Sequence, residues 1–200
     1  MNKIFNCVSV IFHPLFAVTF GVLLIMGVLL PGLNQSLILL LLFSAGYTVA
    51  LPLLFIGVAW KLGFVSQLKM PKRGERTYAL ATTAICTYFF GHALGGWHAP
   101  VTMQVFVMGA VIMMTVAALL ALFSRISLHT IGWGGLTALV SYLSFSYSNL
   151  SIALALTVLA SGLVATARLR LDEHTPSQVY AGFIVGFITI WITFIISSLW

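Results

Sequence analysis

The stretch VTMQVFVMGAVIMMTVAALLALFS, Val101–Ser124, decides the fold, because it runs from end to end without one Lys, Arg, Asp or Glu. About 20 mostly apolar residues suffice for a helix to cross a bilayer. Working outward, six further windows have the same character: Val8–Leu30, Ser36–Trp60, Thr77–Trp97, Ile131–Asn149, Leu150–Ala167 and Gln178–Leu199. Between the two windows that make up Ile131–Ala167, the polar cluster Ser144–Ser151 reads as a surface turn, because one helix of that length would overrun the bilayer. The sequence therefore predicts an all-α, polytopic membrane helix bundle of about seven transmembrane helices, or six if that long stretch is not divided.

Composition agrees. The 200 residues are 61% apolar and 6% charged, against about a quarter charged in a typical globular chain. Nine Lys+Arg and three Asp+Glu are too few to coat a water-soluble fold. Disorder is excluded by the same arithmetic. A disulfide-stapled fold is excluded because Cys7 and Cys86 both lie in apolar runs. A membrane β-barrel would alternate apolar and polar residues with period two, and these stretches are continuous. One integral membrane domain spanning residues 1–200 is expected, its first helix a retained anchor rather than a cleaved signal, since Phe12-His13-Pro14 interrupts the apolar run early.

The polar segments Lys61–Arg76, Arg125–Thr130 and Arg168–Ser177 are separated by even numbers of crossings, which puts all three on one face together with the N-terminus. The opposite connections, Pro31–Gln35, His98–Pro100 and the serine-rich turn, carry no Lys, Arg, Asp or Glu. The positive-inside rule would make the charged face cytoplasmic. By themselves the segments have plain structural readings. Lys69-Met-Pro-Lys-Arg-Gly-Glu-Arg76 is a basic loop suited to anionic headgroups, at about 1 kcal/mol per cation. Ser127 and His129 open a helix, where unpaired N–H groups favour anions. Thr175, Pro176 and Gln178 read as N-cap, first-turn proline and capping-box partner. Together they gather cations, a hydroxyl and two histidines on one surface, a set suited to phosphate: Arg and Lys supply charge-assisted hydrogen bonds, and a histidine attacks phosphorus or moves protons.

Lys69-x6-Arg76, Ser127-Leu-His129 and Arg168-x5-His174 resemble the three-part signature of the type 2 phosphatidic acid phosphatase and vanadium haloperoxidase superfamily, and most of all its short multi-pass bacterial members. That signature is Lys-x6-Arg-Pro, Pro-Ser-Gly-His and Ser-Arg-x5-His-x3-Asp, so a phosphatase-like core would cover about residues 61–199. The resemblance implies His174 as nucleophile, forming a phosphohistidine, and His129 as general acid and then base. It implies Lys69, Arg76, Ser127 and Arg168 as the phosphate-binding set, with no metal and no cofactor. The substrate class it implies is a membrane lipid phosphate: phosphatidic acid, phosphatidylglycerophosphate, a polyprenyl diphosphate or the phosphates of lipid A. The partners expected are that lipid and the bilayer, with no nucleic acid, in a bacterial inner membrane. Many bacterial relatives work on the periplasmic side, against the cytoplasmic reading of the charge. Among the departures from the signature, Gln178 stands for the Asp, Leu128 for the Gly before the histidine, Ala167 for Ser and Thr77 for Pro. A Gln carbonyl keeps a hydrogen-bond acceptor but supplies no charge, and loss of such a carboxylate in a serine protease triad costs about 10⁴ in rate. These departures define the alternative reading, a weak or inactive lipid-phosphate binder or transport protein.

Other features have structural readings. His13 with Pro14 suits a helix break near the same surface. His92 and His98 fall toward the opposite face. Gly182-x3-Gly186 and Gly132, Gly134 and Gly135 read as close helix packing, and Trp97 and Trp200 as an interfacial aromatic belt. An anion transporter would show ionisable residues within the spans or broken helices with paired repeats, and the apolar windows carry no Lys, Arg, Asp or Glu and no internal repeat. A haem-binding electron carrier would leave the clustered cations unexplained.

Overall fold

A computed structural model describes residues 2–29, 35–67, 70 and 72–199. Lys69, Trp200 and residues 31–34 of the Pro31–Gln35 connection lie outside the described residues. The described chain is helical, with no strand. Its helices are α1 (Asn2–Ile11), α2 (Ala17–Leu29), α3 (Gln35–Ala45), α4 (Leu51–Lys61), α5 (Arg73–Gly96), α6 (Val101–Phe123), α7 (Leu128–Ser146), α8 (Ser151–Arg170) and α9 (Pro176–Ser197). Five stretches are long and apolar enough to cross a membrane: Lys3–Leu29, Leu37–Lys61, Val101–Phe123, Ser151–Arg170 and Pro176–Ser197. Helices also form over the other two predicted windows, but both are less apolar. The third begins at Arg73 instead of Thr77, taking Arg73, Glu75 and Arg76 into its first turn. The fifth begins at Leu128, and every residue from Thr130 to Val140 is buried. A helix enclosed by protein needs no lipid-facing stripe, which is why α7 holds threonines and glycines where a lipid-facing helix holds leucines.

The chain forms two compact units, residues 1–17 with 125–200 and residues 18–124. In the first, α7 packs closely on α9 and is flanked by α8. Glycines set the α7–α9 approach: a Cβ at Gly134 would strike the Phe183 carbonyl, one at Gly186 the Ile131 carbonyl, and one at Gly182 the Thr130 hydroxyl. The close-packing reading of these glycines therefore holds. The polarity of α8 is inverted relative to a soluble helix. Ile152, Leu156, Leu159 and Leu163 face outward, while Thr157, Ser161 and Arg168 are buried. A water-soluble helix buries the apolar stripe instead.

In the second unit α5 and α6 pair antiparallel through the turn at Trp97–Pro100, with Phe90, Leu94, Met103 and Val107 wholly enclosed. Between α3 and α4, Gly46–Ala50 is a turn of π-helix. Pro52 lacks an N–H to offer residue 48, and the ladder widens there, Leu51 N–H reaching the Gly46 carbonyl. Cys7 is exposed and Cys86 buried, and both are free thiols.

Candidate functional site

Three chain segments of the first unit build a polar cluster around the N-terminus of α7. Ser127 is the N-cap of α7, in extended conformation, with the helix opening at Leu128. Its side chain is fully buried, and its hydroxyl has no hydrogen-bond partner among the described residues. Buried polar groups are nearly always paired, so this hydroxyl at a helix N-terminus has hydrogen-bonding capacity to offer an oxygen from outside the described chain. Leu128, beside it, is half-buried.

The second segment is the α8–α9 connection, whose shape explains the Arg168-x5-His174 spacing. Asp172 takes a left-handed conformation, φ 53°. Around it Asp172 N–H reaches the Leu169 carbonyl at 3.1 Å and Glu173 N–H the Arg168 carbonyl at 3.3 Å, the two bonds of a Schellman helix end. The reversal carries Glu173 back over the buried Arg168, to which it is ion-paired at 3.2 Å. His174 follows, and α9 opens on the predicted cap, with Thr175 at N-cap, Pro176 at the first helical position and Gln178 completing a capping box.

That cap fixes the state of His174. Thr175 N–H donates to Gln178 Oε1 at 3.2 Å. A backbone N–H only donates, so the facing atom of the amide must be the oxygen. The same Oε1 lies 3.1 Å from His174 Nδ1, and the Arg125 carbonyl lies 3.1 Å from it. Both neighbours only accept, so Nδ1 carries the hydrogen and a neutral ring holds its lone pair on Nε2. Gln178 thus does for the tautomer what a carboxylate would do, without the charge.

The third segment is α1, outside all the sequence motifs. Arg168 Nη1 donates to Ser9 Oγ at 2.6 Å. His129 Nε2 lies 3.1 Å from the Ser9 carbonyl and 3.3 Å from Ser9 Oγ. The carbonyl accepts only, so the His129 hydrogen sits on Nε2. The His13 ring meets His129 edge-on, centroids 5.2 Å apart. His13 also caps the break between α1 and α2, its Nδ1 accepting from Leu15 N–H at 3.2 Å, so the helix-break reading holds and a contact with the cluster joins it. His129, in the first turn of α7 and ahead of the apolar run, is pushed down to about 3 by burial, then by the charge of Arg168 and by His13.

Of the predicted residues, the first unit gathers Ser127, His129, Arg168, His174 and Gln178. Arg76 belongs to the second unit, where its Nε donates to the Met70 carbonyl at 3.2 Å. Nearby, hydrogen bonds from Ser66, helped by Lys72, hold the Glu75 carboxyl below its ordinary value. Ser9 and Glu173 were not singled out by the sequence. For Ser9 a signal existed: Ser9 and His13 are the polar pair of an apolar run, spaced i, i+4 and so on one helical face. Compared with protein-family models, curated proteins and solved structures, the chain finds no match in any of the three.

Proposed function

We propose that this chain is a multi-pass membrane lipid phosphatase that works through a phosphohistidine on His174, as the resemblance to type 2 phosphatidic acid phosphatases implies. The observation that carries the reading is the His174 tautomer: two acceptors on Nδ1 leave the lone pair on Nε2, the form an in-line attack on phosphorus requires. Arg168 and the orphan Ser127 hydroxyl at the N-terminus of α7 supply oxyanion contacts, to which the resemblance adds Lys69 and Arg76. Positioning and charge neutralisation are most of phosphoryl-transfer catalysis. His129 is neutral in the unliganded protein. A phosphate dianion beside it offsets the burial and cationic repulsion that hold its proton affinity down, so the ring takes up the proton that the leaving oxygen needs. In the second step His129 removes a proton from the water that hydrolyses the phosphohistidine.

A lipid substrate fits a chain with this little extramembrane mass, whose site must open at the headgroup level. In this reading the less apolar α5 and α7 also cross, giving seven crossings, with the site on the surface that holds the N-terminus and the cations of a bacterial inner membrane. One observation favours the alternative, a slow or inactive lipid-phosphate binder: the acceptor on His174 Nδ1 is an uncharged amide. Phosphate release from a panel of lipid phosphates by detergent-purified protein, with EDTA present, tests the proposal. Turnover that persists in EDTA and disappears in His174→Ala supports the enzyme; binding without release from any lipid supports the binder.

A further inference from the structure

Two of the groups that the phosphate reading assigns to substrate, Arg168 and His129, are already engaged by the chain itself. Ser9 Oγ accepts from Arg168 Nη1 at 2.6 Å, and Ser9 Oγ and the Ser9 carbonyl both face the His129 Nε2–H. Arg168 Nη2 meanwhile holds Glu173. The carbonyl is one of the last of α1, where the helix dipole leaves partial negative charge. His13 N–H, which would reach it in a continuing helix, instead bonds to the Val10 carbonyl at 3.3 Å. Ser9 therefore presents two oxygens of partial negative charge to an arginine and a histidine, as two oxygens of a bound phosphate would.

We infer that Ser9 is an internal stand-in for phosphate, and that the C-terminal turn of α1 closes the site until a phosphate displaces it. This rests on the phosphate reading and adds to it a regulation of the same site. Rotating the Ser9 side chain releases Arg168 but not His129, because the second contact is to backbone, so opening moves the α1 turn itself. A pivot exists beside it. The helix breaks at His13-Pro14, and the 3₁₀ turn Pro14–Phe16 sits over Gly132, where a Cβ would meet Ala17 Cβ at 3.2 Å and Pro14 Cα at 3.5 Å. Phe12 holds the closed position by packing its ring on Trp133, centroids 4.9 Å apart, and by accepting from Trp133 Nε1 at 3.1 Å.

Apparent affinity is reduced by the fraction of molecules that are binding-competent, so removing the stand-in should tighten phosphate binding. The test measures binding of inorganic phosphate, and separately of phosphatidylcholine vesicles doped with phosphatidic acid, to the full chain and to Ser9→Ala and Ser9→Thr. In parallel an environment-sensitive label on Cys7, the exposed thiol two residues from Ser9, reports on α1. Expected are binding about tenfold tighter in Ser9→Ala, wild-type affinity in Ser9→Thr, and a label signal that saturates with phosphate. Gain with the vesicles alone would assign the displacing group to a lipid headgroup and still support the inference. Saturable binding that Ser9→Ala leaves unchanged or weakens would overturn the stand-in while leaving the phosphate reading in place. Absence of binding by wild type and Ser9→Ala alike would remove both.

Discussion

Gln178 offers one carbonyl oxygen to two donors, the Thr175 N–H that opens α9 and the His174 ring N–H. It sets the imidazole tautomer but gives no countercharge to the cationic ring that the proposed phosphorylation would create. Gln178→Glu, of the same length, keeps both hydrogen bonds and adds that charge. Since removing such a carboxylate elsewhere costs about 10⁴ in rate, the substitution should raise kcat by at least about tenfold; an unchanged or lower kcat would show that tautomer control alone suffices. His129 gives a pH test. Its proton affinity is lowered in the folded state to about 3, so below the ordinary imidazole value near 6.5 the unfolded chain binds the extra proton and the folded chain does not. Stability should therefore rise with pH between about 3 and 6.5, and His129→Asn should flatten that slope in thermal unfolding followed across pH. Ser127, His129, Arg168 and His174 were legible because each spacing is short and belongs to one helix end or one reversal. For Ser9 the sequence offered no more than its i, i+4 spacing to His13, because its meaning lies in contacts with residues more than a hundred positions away.

Among the elements, α7 and α9 meet through backbone rather than side chains. A Cβ at Gly186 would lie against the Ile131 carbonyl, whereas one at Gly162, on the exposed side of α8, meets nothing within 4 Å. Gly186→Ala should cost about 1–3 kcal/mol through overpacking, and Gly162→Ala should be neutral or stabilise by about 0.5–1 kcal/mol through helix propensity. Unfolding midpoints in one detergent compare the pair, and equal effects would refute the close-approach account. The small-residue spacing was readable from sequence, as was the α9 cap from Thr175-Pro-Ser-Gln178. The opening of α7 at Ser127 and His129 was readable too, but the start of α5 was not: charge marked a boundary at Thr77, whereas the helix begins at Arg73, with Arg73 and Gly74 exposed and Glu75 buried.

Over the whole molecule, helices long and apolar enough to cross a membrane were legible from the uncharged runs, and the structure adds where the apolar surface goes. Outward leucines and isoleucines on α8, with its hydroxyls and Arg168 turned inward, are the arrangement a bilayer selects. Within the first unit, the end of α1, the start of α7 and the α8–α9 reversal come together, as the parity of the crossings predicted for the segments that carry His129 and His174. The central claim is that His174 carries the phosphoryl group, and rapid-quench trapping with a phosphate-labelled lipid measures it directly. Expected is an acid-labile, base-stable phosphoryl group on His174 that accumulates in His129→Ala and is absent in His174→Ala. Phosphate release with no labelled histidine, or labelling that survives His174→Ala, would contradict it.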